Sequence, residues 1–296
     1  MDSSEAQRHR QYLSMMVRKW PIEAKTLREL YLQNNAVMGI SWVLASWKYI
    51  DSLVGQEDEQ GWVDIIKLVS NRIESVELPN LSCQNGFLIS FSLVQIWALI
   101  GGHAADIANT ADTVNAFVDS NVKTGFPFFF DMRAIYCILA ISRISDRPVS
   151  LEAQAFFRAY ILESESLVGG FGSGPNTEPH GGFTFCATAS LRLLNEDLAS
   201  QRTIQWARLR LGQNNGRAGK PADSCYSWWM GASLFNLGFA DERLADGFSE
   251  KYLVKKTGGY SKFPNMAEPD LFHTFLALAT LCLAAGRIDS LTLLPI

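Results

Sequence analysis

The feature that most constrains this 296-residue chain is a repeat of apolar helical segments at a nearly constant step. Successive segments start 50, 46, 49, 43 and 47 residues apart. Most begin at Asn, Asp or a glycine-rich turn, which suits a helix N-cap, and several end near a glycine. Each is apolar on almost every side, as expected of a helix buried on most of its surface. The six starts are Asn35, Asn85, Asp131, His180, Asp223 and Asp270.

Between these segments lie more amphipathic, charged stretches whose apolar residues recur at helical spacing. They span residues 61–77, 103–122, 150–163, 198–211 and 242–254. The repeating unit is therefore one buried helix and one surface helix, which cannot bury its apolar face alone. The pattern predicts an all-α fold: a closed (α/α)6 barrel of six inner and about six outer helices, or an open solenoid of the HEAT type. We favour the barrel, as one domain over residues 1–296.

Composition narrows the function classes. Apolar residues make up 48% of the chain, charged residues 19%, and the net charge is −4. This balance gives no general attraction to nucleic acid or to an anionic membrane. No apolar run is long enough to span a bilayer, and the polar first residues lack the core of a signal peptide. Five scattered cysteines without a CxxC pair favour reduced thiols, so a cytoplasmic protein without a transmembrane segment is expected.

Chemically unusual residues gather at the starts of the apolar segments, which share one rim if the inner helices run parallel. Glycine-rich loops precede three of these starts and allow close approach to a ligand, and helix N-termini favour anions. The cations there predict a diphosphate site: Arg133, His180, Arg217 and Lys220. Aromatic side chains further along would line an apolar well below it: Tyr136, Phe183, Phe185, Trp229 and Phe272. The alternative is that the aromatics are ordinary core and the cations solvated surface.

A candidate metal site lies on the same rim. Asp223 and Cys225 are two residues apart at one segment start, and His273 follows at nearly the equivalent place in the next repeat. A carboxylate, a thiolate and an imidazole form a three-ligand set for Zn²⁺ with the fourth position open, which is typical of catalytic zinc. The alternative is a free buried cysteine and a core histidine.

Four motifs, in order along the chain, resemble the β subunits of protein prenyltransferases: DMRAIYC, GGFGSGPNTEPHGGFTFC, GRAGKPADSCYSWW and GGYSKFPNMAEPDLFHT. The resemblance extends from about Arg8 to Gly286. It implies an (α/α)6 barrel that forms a heterodimer with a helical-repeat α subunit. It also implies transfer of a farnesyl or geranylgeranyl group from its diphosphate to a cysteine near a protein's C-terminus.

The resemblance also assigns roles to individual positions. Those that match its single catalytic zinc site are Asp223, Cys225 and His273. Those that match the residues holding the diphosphate are His180, Arg217, Lys220 and Tyr226. Those that match the lipid-pocket wall are Arg133, Tyr136, Cys186 and Trp229, and Phe272 belongs to the same predicted well.

Three positions bear on the type of prenyltransferase. Met38 and Leu276 stand where farnesyl enzymes narrow the pocket with Trp and Tyr, which leaves room for a geranylgeranyl chain. Lys262 stands where farnesyl enzymes carry a magnesium-recruiting Asp. As a catalytic residue its ammonium can neutralise the leaving diphosphate, so Mg²⁺ is not expected to be required. We favour type I, which modifies CaaX-ending proteins such as small GTPases with geranylgeranyl diphosphate.

The alternatives are a type II (Rab) enzyme, which the strings SCYSWW and FHT resemble more, a farnesyltransferase, or a non-catalytic helical-repeat binding subunit. The chain also departs from the family pattern. Residues 213–215 replace the usual aromatic and glycines before the diphosphate arginine, and Phe183 replaces a usual Tyr or Ser.

Overall fold

The computed structural model describes residues 1–18, 27–55, 57–73, 79–83, 85–127, 130–196, 200–239 and 248–296. These residues form α-helices joined by turns and a few isolated bridges. Six of the helices form an inner ring: α2 (Leu27–Val54), α4 (Gly86–Ile100), α6 (Met132–Ser145), α8 (Gly181–Leu193), α10 (Cys225–Asn236) and α12 (Leu271–Ala284). The remaining described helices alternate with these along the chain: α1 (Ser3–Arg18), α3 (Glu59–Ile73), α5 (Ala104–Thr124), α7 (Leu151–Glu163), α9 (Gln201–Gln213) and α11 (Phe248–Tyr252).

The inner ring is closed. Each inner helix packs against the next one, and α12 packs back against α2. The predicted (α/α)6 barrel is therefore confirmed, and the open solenoid is wrong, because an open array would leave its first and last repeats apart.

Polar side chains begin several inner helices as the sequence predicts. The Asp131 carboxylate accepts the Arg133 backbone N–H, and the Asp270 carboxylate accepts that of His273. His180 caps α8 with its Nδ1, which accepts the Gly182 N–H. These bonds satisfy N–H groups that have no partner within the helix, so the cap residues fix where the helices start.

Two boundaries differ from the prediction. Helix α2 begins at Leu27 rather than Asn35, because the preceding residues are good helix formers and Asn is tolerated inside a helix. Helix α1 was not among the predicted segments, and it packs on α2 and α3 as an outer helix. The predicted stretches 61–77, 198–211 and 242–254 include residues 74–77, 198–199 and 242–247, which lie outside the described residues.

The segment that follows α12 lies at the C-terminal ends of the inner helices. Its Ser290 hydroxyl donates to Asn236 in the last turn of α10, and the Tyr49 hydroxyl near the end of α2 donates to its Leu293 carbonyl. The barrel is thus covered at this end. In the parts of the chain that the structure describes, no helix combines the length and apolarity needed to span a bilayer.

Candidate active site

The inner ring encloses a cavity of about 630 Å³. His180, Cys225 and His273 line it at the N-terminal ends of the inner helices, and Gln95 and Leu293 line it towards their C-terminal ends. A cavity of this size, apolar inside and polar at one rim, is typical of a site for a small amphiphilic ligand.

An aromatic belt surrounds the cavity, with one ring from each inner helix. Neighbouring ring centroids along the belt lie 5.5, 5.1, 5.2, 6.4 and 5.3 Å apart. Such tilted and edge-on contacts at 4.5–7 Å are favourable and hold the rings in place. In order from α4 around to α2, the belt is Phe91, Tyr136, Phe185, Trp229, Phe272 and Trp42.

The predicted metal-binding residues are brought together at the rim. One ligand atom from each of Asp223, Cys225 and His273 lies within 4.8 Å of the others. Cys225 is the first residue of α10, and its backbone N–H donates to Asp223 Oδ1, which fixes the carboxylate beside the thiol. His273 Nε2 lies 3.1 Å from the same Oδ1. Oxygen, sulfur and nitrogen donors this close can hold one divalent metal ion.

The electrostatics of these three side chains suit a cation. Burial acts to raise the pKa of Asp223, but hydrogen bonds from His273 and Cys225 outweigh it and lower that pKa. Burial and the adjacent Asp223 carboxylate raise the pKa of the Cys225 thiol. A thiol with a raised pKa loses its proton readily only if a positive charge lies beside it, and a divalent ion supplies that charge.

Asp270 orients the metal-site histidine. Its Oδ2 lies 2.5 Å from His273 Nδ1, so His273 Nε2 is directed at Asp223. Burial would lower the pKa of His273, but its hydrogen bonds to Asp223 and Asp270 raise it to about 9. Metal-binding histidines commonly donate their second ring N–H to a carboxylate in this way. The sequence placed Asp270 on the rim without a role, and only its spacing of three residues before His273 could have indicated one.

His180 and Tyr226 form a polar pair beside the metal-binding residues. Because His180 Nδ1 accepts the Gly182 N–H, its proton sits on Nε2, which lies 3.0 Å from the Tyr226 hydroxyl oxygen. The Tyr226 O–H is therefore free to donate to a ligand. Gly216 makes this arrangement possible, because a Cβ at that position would overlap the Tyr226 ring.

The cationic side chains predicted for the rim are not equally placed. Lys262 lines the cavity, with Nζ 3.8 Å from Asp223 Oδ2. Arg217 forms an ion pair with Glu178 at 3.2 Å and lies close enough to His180 to lower its pKa, although burial is the larger cause. Lys220 is exposed in the same loop, and neither it nor Arg217 is among the cavity-lining residues.

The predicted wall residues lie where the pattern placed them. Met38, Cys186 and Leu276 line the cavity together with the belt. Arg133 also lines it, but its guanidinium is held by the Asp131 carboxylate at 2.6 Å and lies 5.7 Å from the Phe183 ring. Arg133 therefore closes the wall and is not a free cation for a ligand.

Sequence reasoning missed one face of α4. Leu88, Phe91, Ser92 and Gln95 all line the cavity, and their spacing of three, four and seven residues places them on one side of the helix. Because α4 is apolar almost all round, this face carried no amphipathic signal. The polar Ser92 and Gln95 within the apolar run were the hints.

Comparisons with known proteins agree with this geometry. The sequence model of the prenyltransferase alpha-alpha toroid domain matches residues 5–293. The geranylgeranyl transferase type-1 subunit beta of Arabidopsis thaliana is 36% identical over an alignment of 165 residues, which covers 49% of this chain and 43% of that protein. The protein of the same description from Dictyostelium discoideum is 32% identical over an alignment of 170 residues, which covers 55% of this chain and 47% of that protein. The matched stretches thus span less than half of these relatives.

A solved structure shows the same fold. Candida albicans protein geranylgeranyltransferase-I complexed with GGPP superposes with a TM-score of 0.75 over 98% of this chain and 95% of that chain, at 22% identity. The match of the family's sequence model over nearly the whole chain establishes what the fold and the rim residues indicated. The chain belongs to the prenyltransferase alpha-alpha toroid family.

Proposed function

We propose that the chain is the catalytic β subunit of a type I protein geranylgeranyltransferase. It would transfer the geranylgeranyl group from geranylgeranyl diphosphate to the cysteine of a C-terminal CaaX motif. The observation that carries the proposal is the set of residues at the rim of the aromatic-lined cavity. Asp223, Cys225 and His273 lie there as a candidate metal site, and Tyr226 and Lys262 line the same cavity. The names of the two curated relatives support the same activity.

The metal-binding residues fit one Zn²⁺, since their oxygen, sulfur and nitrogen donors are close together and the imidazole is already oriented by Asp270. When bound, Zn²⁺ would stabilise the acceptor cysteine as its thiolate, the reactive form of the side chain. Asp223, Cys225 and His273 would supply three ligands, which leaves a position for the acceptor sulfur.

The diphosphate would lie at the rim of the cavity, beside the metal-binding residues. Tyr226 presents its O–H there, because the His180 Nε2–H already donates to the Tyr226 oxygen, and Lys262 provides an ammonium group beside them. Arg217 and Lys220 would approach from the neighbouring loop once a ligand competes with Glu178 for the Arg217 guanidinium. These donors would stabilise the charge that develops on the departing diphosphate. Because a fixed ammonium already stands there, Mg²⁺ would not be needed.

The hydrocarbon chain would lie along the aromatic belt. Burial of apolar surface contributes about 0.8 kcal/mol per methylene, so one additional isoprene unit adds roughly several kcal/mol if the cavity is deep enough to hold it. Met38 and Leu276 line the cavity and are smaller or more flexible than aromatic residues, so they leave room for the additional isoprene unit. These two positions therefore favour a geranylgeranyl over a farnesyl chain.

The proposal includes a partner and a compartment. The activity would require a prenyltransferase α subunit in a heterodimer, and the acceptors would be cytoplasmic CaaX-ending proteins such as small GTPases. Support comes from the family of the chain and from the absence of a spanning helix among its described residues.

The decisive experiment is co-expression with a prenyltransferase α subunit, followed by transfer assays with labelled farnesyl and geranylgeranyl diphosphate. Acceptors are peptides ending in CaaL or CaaS, without added Mg²⁺, and a Rab–escort complex. We expect geranylgeranylation of the CaaL peptide. Cys225→Ala should abolish it together with zinc binding, whereas Cys137→Ala should retain it, because Cys137 is a buried thiol of α6 outside the metal-binding group.

The other outcomes each point to a different function. Transfer only to the Rab–escort complex would move the assignment to type II, and transfer of farnesyl to the CaaS peptide would make it a farnesyltransferase. With zinc bound and both subunits folded, failure to modify any acceptor would favour a non-catalytic binding subunit.

A further inference from the structure

The segment that follows α12 forms a compact turn stabilised by Asp289. The Asp289 carboxylate accepts the Leu291 N–H at 2.9 Å and the Thr292 hydroxyl at 2.7 Å. The Asp289 backbone carbonyl also accepts the Leu293 N–H, and Ile288 pairs with Pro295 across the turn. Residues 288–295, the closing turn, therefore have a defined shape.

Hydrogen bonds from the inner helices α2 and α4 hold the closing turn in place. Gln95 Nε2 of α4 donates to the Thr292 carbonyl at 2.9 Å, while Gln95 Oε1 accepts the Ser41 hydroxyl of α2 at 2.8 Å. The Tyr49 hydroxyl donates to the Leu293 carbonyl. Gln95 lies nine residues after the start of α4, about 14 Å along the helix from the metal-binding rim. The turn thus closes the end of the cavity opposite to the rim.

Leu293 is the residue of this turn that reaches the cavity. It lines the cavity together with Gln95 and Leu276, and its exposed fraction is only 4%. Its φ is +56°, a left-handed conformation that is uncommon for a leucine and persists only where the surroundings hold it. The hydrogen bonds of the Leu293 N–H and carbonyl hold the backbone in this conformation, in which the side chain lines the cavity.

We propose that Leu293 is the floor of the lipid cavity and limits the length of the prenyl chain that the cavity accepts. This inference rests on the proposed function, since it assumes that a prenyl chain enters from the rim and ends near the closing turn. A chain one isoprene unit too long would meet the Leu293 side chain, which cannot move aside while Gln95 and Tyr49 hold the backbone. Chain-length selection would then depend on the closing turn as well as on the inner-helix positions Met38 and Leu276.

The test measures dissociation constants of farnesyl, geranylgeranyl and geranylfarnesyl diphosphate with the complex of this chain and its α subunit. Leu293→Ala and Leu293→Gly both remove the floor, and glycine also suits the positive φ, so at least one should fold normally. Each should improve the affinity for geranylfarnesyl relative to geranylgeranyl diphosphate by about tenfold, the effect of one or two additional buried methylenes. Leu293→Trp should shift the preference towards farnesyl diphosphate.

Leu294→Ala is the matched control, because it shortens the same side chain type in the same turn at a position that does not line the cavity. Leu294→Ala should leave the ratio of the affinities for geranylfarnesyl and geranylgeranyl diphosphate unchanged. If wild type prefers geranylgeranyl diphosphate but both folded Leu293 variants keep the wild-type ratio, the floor assignment is overturned and the proposed function stands. If the wild-type complex binds no prenyl diphosphate, the proposed function and this inference both fall.

Discussion

Asp270 holds His273 in the orientation that a metal site requires. The Asp270 carboxylate accepts the His273 backbone N–H at 2.9 Å through Oδ1 and lies 2.5 Å from its Nδ1 through Oδ2. One side chain thus starts helix α12 and fixes the imidazole on its first turn. As a result, Nε2 faces Asp223, which lies two residues before the neighbouring inner helix α10.

Replacement of Asp270 by Asn should weaken zinc binding roughly 10- to 100-fold, the usual effect of losing the carboxylate that supports a metal-binding histidine. Asn still caps the helix, so the stability of the fold should change little. Competition with a zinc-binding dye measures the affinity. Asp131→Asn makes the same change at the start of α6, where no metal-binding histidine follows, and should leave it unaltered. Equal zinc affinity in both variants would rule out the positioning role of Asp270.

Lys262→Asp should make prenyl transfer depend on added Mg²⁺. The variant removes the ammonium at the cavity mouth and introduces a carboxylate, which binds Mg²⁺ together with phosphate oxygens. Turnover should be low without Mg²⁺ and rise on its addition, as measured by a magnesium titration of the transfer rate. Lys255→Asp, an exposed lysine outside the cavity, is the control. An identical magnesium response in wild type and Lys262→Asp would remove the main ground for type I.

Glu178→Gln should tighten the binding of prenyl diphosphate by a few-fold. Glu178 pairs with Arg217 at 3.2 Å, so the diphosphate must displace a carboxylate before it gains that guanidinium. The pair is largely exposed, and exposed pairs contribute at most about 1 kcal/mol, which bounds the effect. A binding titration at low ionic strength measures it. Glu196→Gln breaks a comparable pair with Arg158 elsewhere and should have no effect. Unchanged or weaker binding in Glu178→Gln would show that Glu178 does not compete.

The stability of the fold should fall on acidification partly through His180. Burial, followed by the nearby Arg217, lowers the pKa of His180 below its ordinary value of 6.5. The unfolded chain therefore binds this proton at a higher pH than the folded chain does. The contribution of His180 is fully present above pH 6.5 and is lost as pH falls towards the lowered folded pKa.

His180→Asn should lessen the loss of folding stability on acidification, because Asn also caps a helix but does not titrate in this pH range. Urea denaturation of both proteins between about pH 5 and pH 7 measures the difference, in which other titrating groups cancel. A steeper or equal loss of stability in His180→Asn would contradict the assignment of His180 as a half-buried neutral imidazole.

Much of the fold and part of the site follow from local patterns. The apolar repeat predicted the inner helices, and the polar residues Asp131, His180 and Asp270 marked their starts, because capping depends on residues close in sequence. The spacing of Asp223, Cys225 and His273 in consecutive repeats likewise predicted the group that the barrel assembles.

The remaining features depend on contacts between distant segments. Helix α12 closing against α2, Gln95 bonding to Thr292 across 197 residues, and Glu178 facing Arg217 leave no periodic signal in the chain. The same holds for Leu293, whose role depends on a backbone conformation imposed by Asp289 and Tyr49. The sequence by itself determined which inner helices form and which chemistry stands at their starts, because capping and runs of apolar residues are local. Only the tertiary structure decided how deep the cavity is and what ends it, because packing between remote segments sets both.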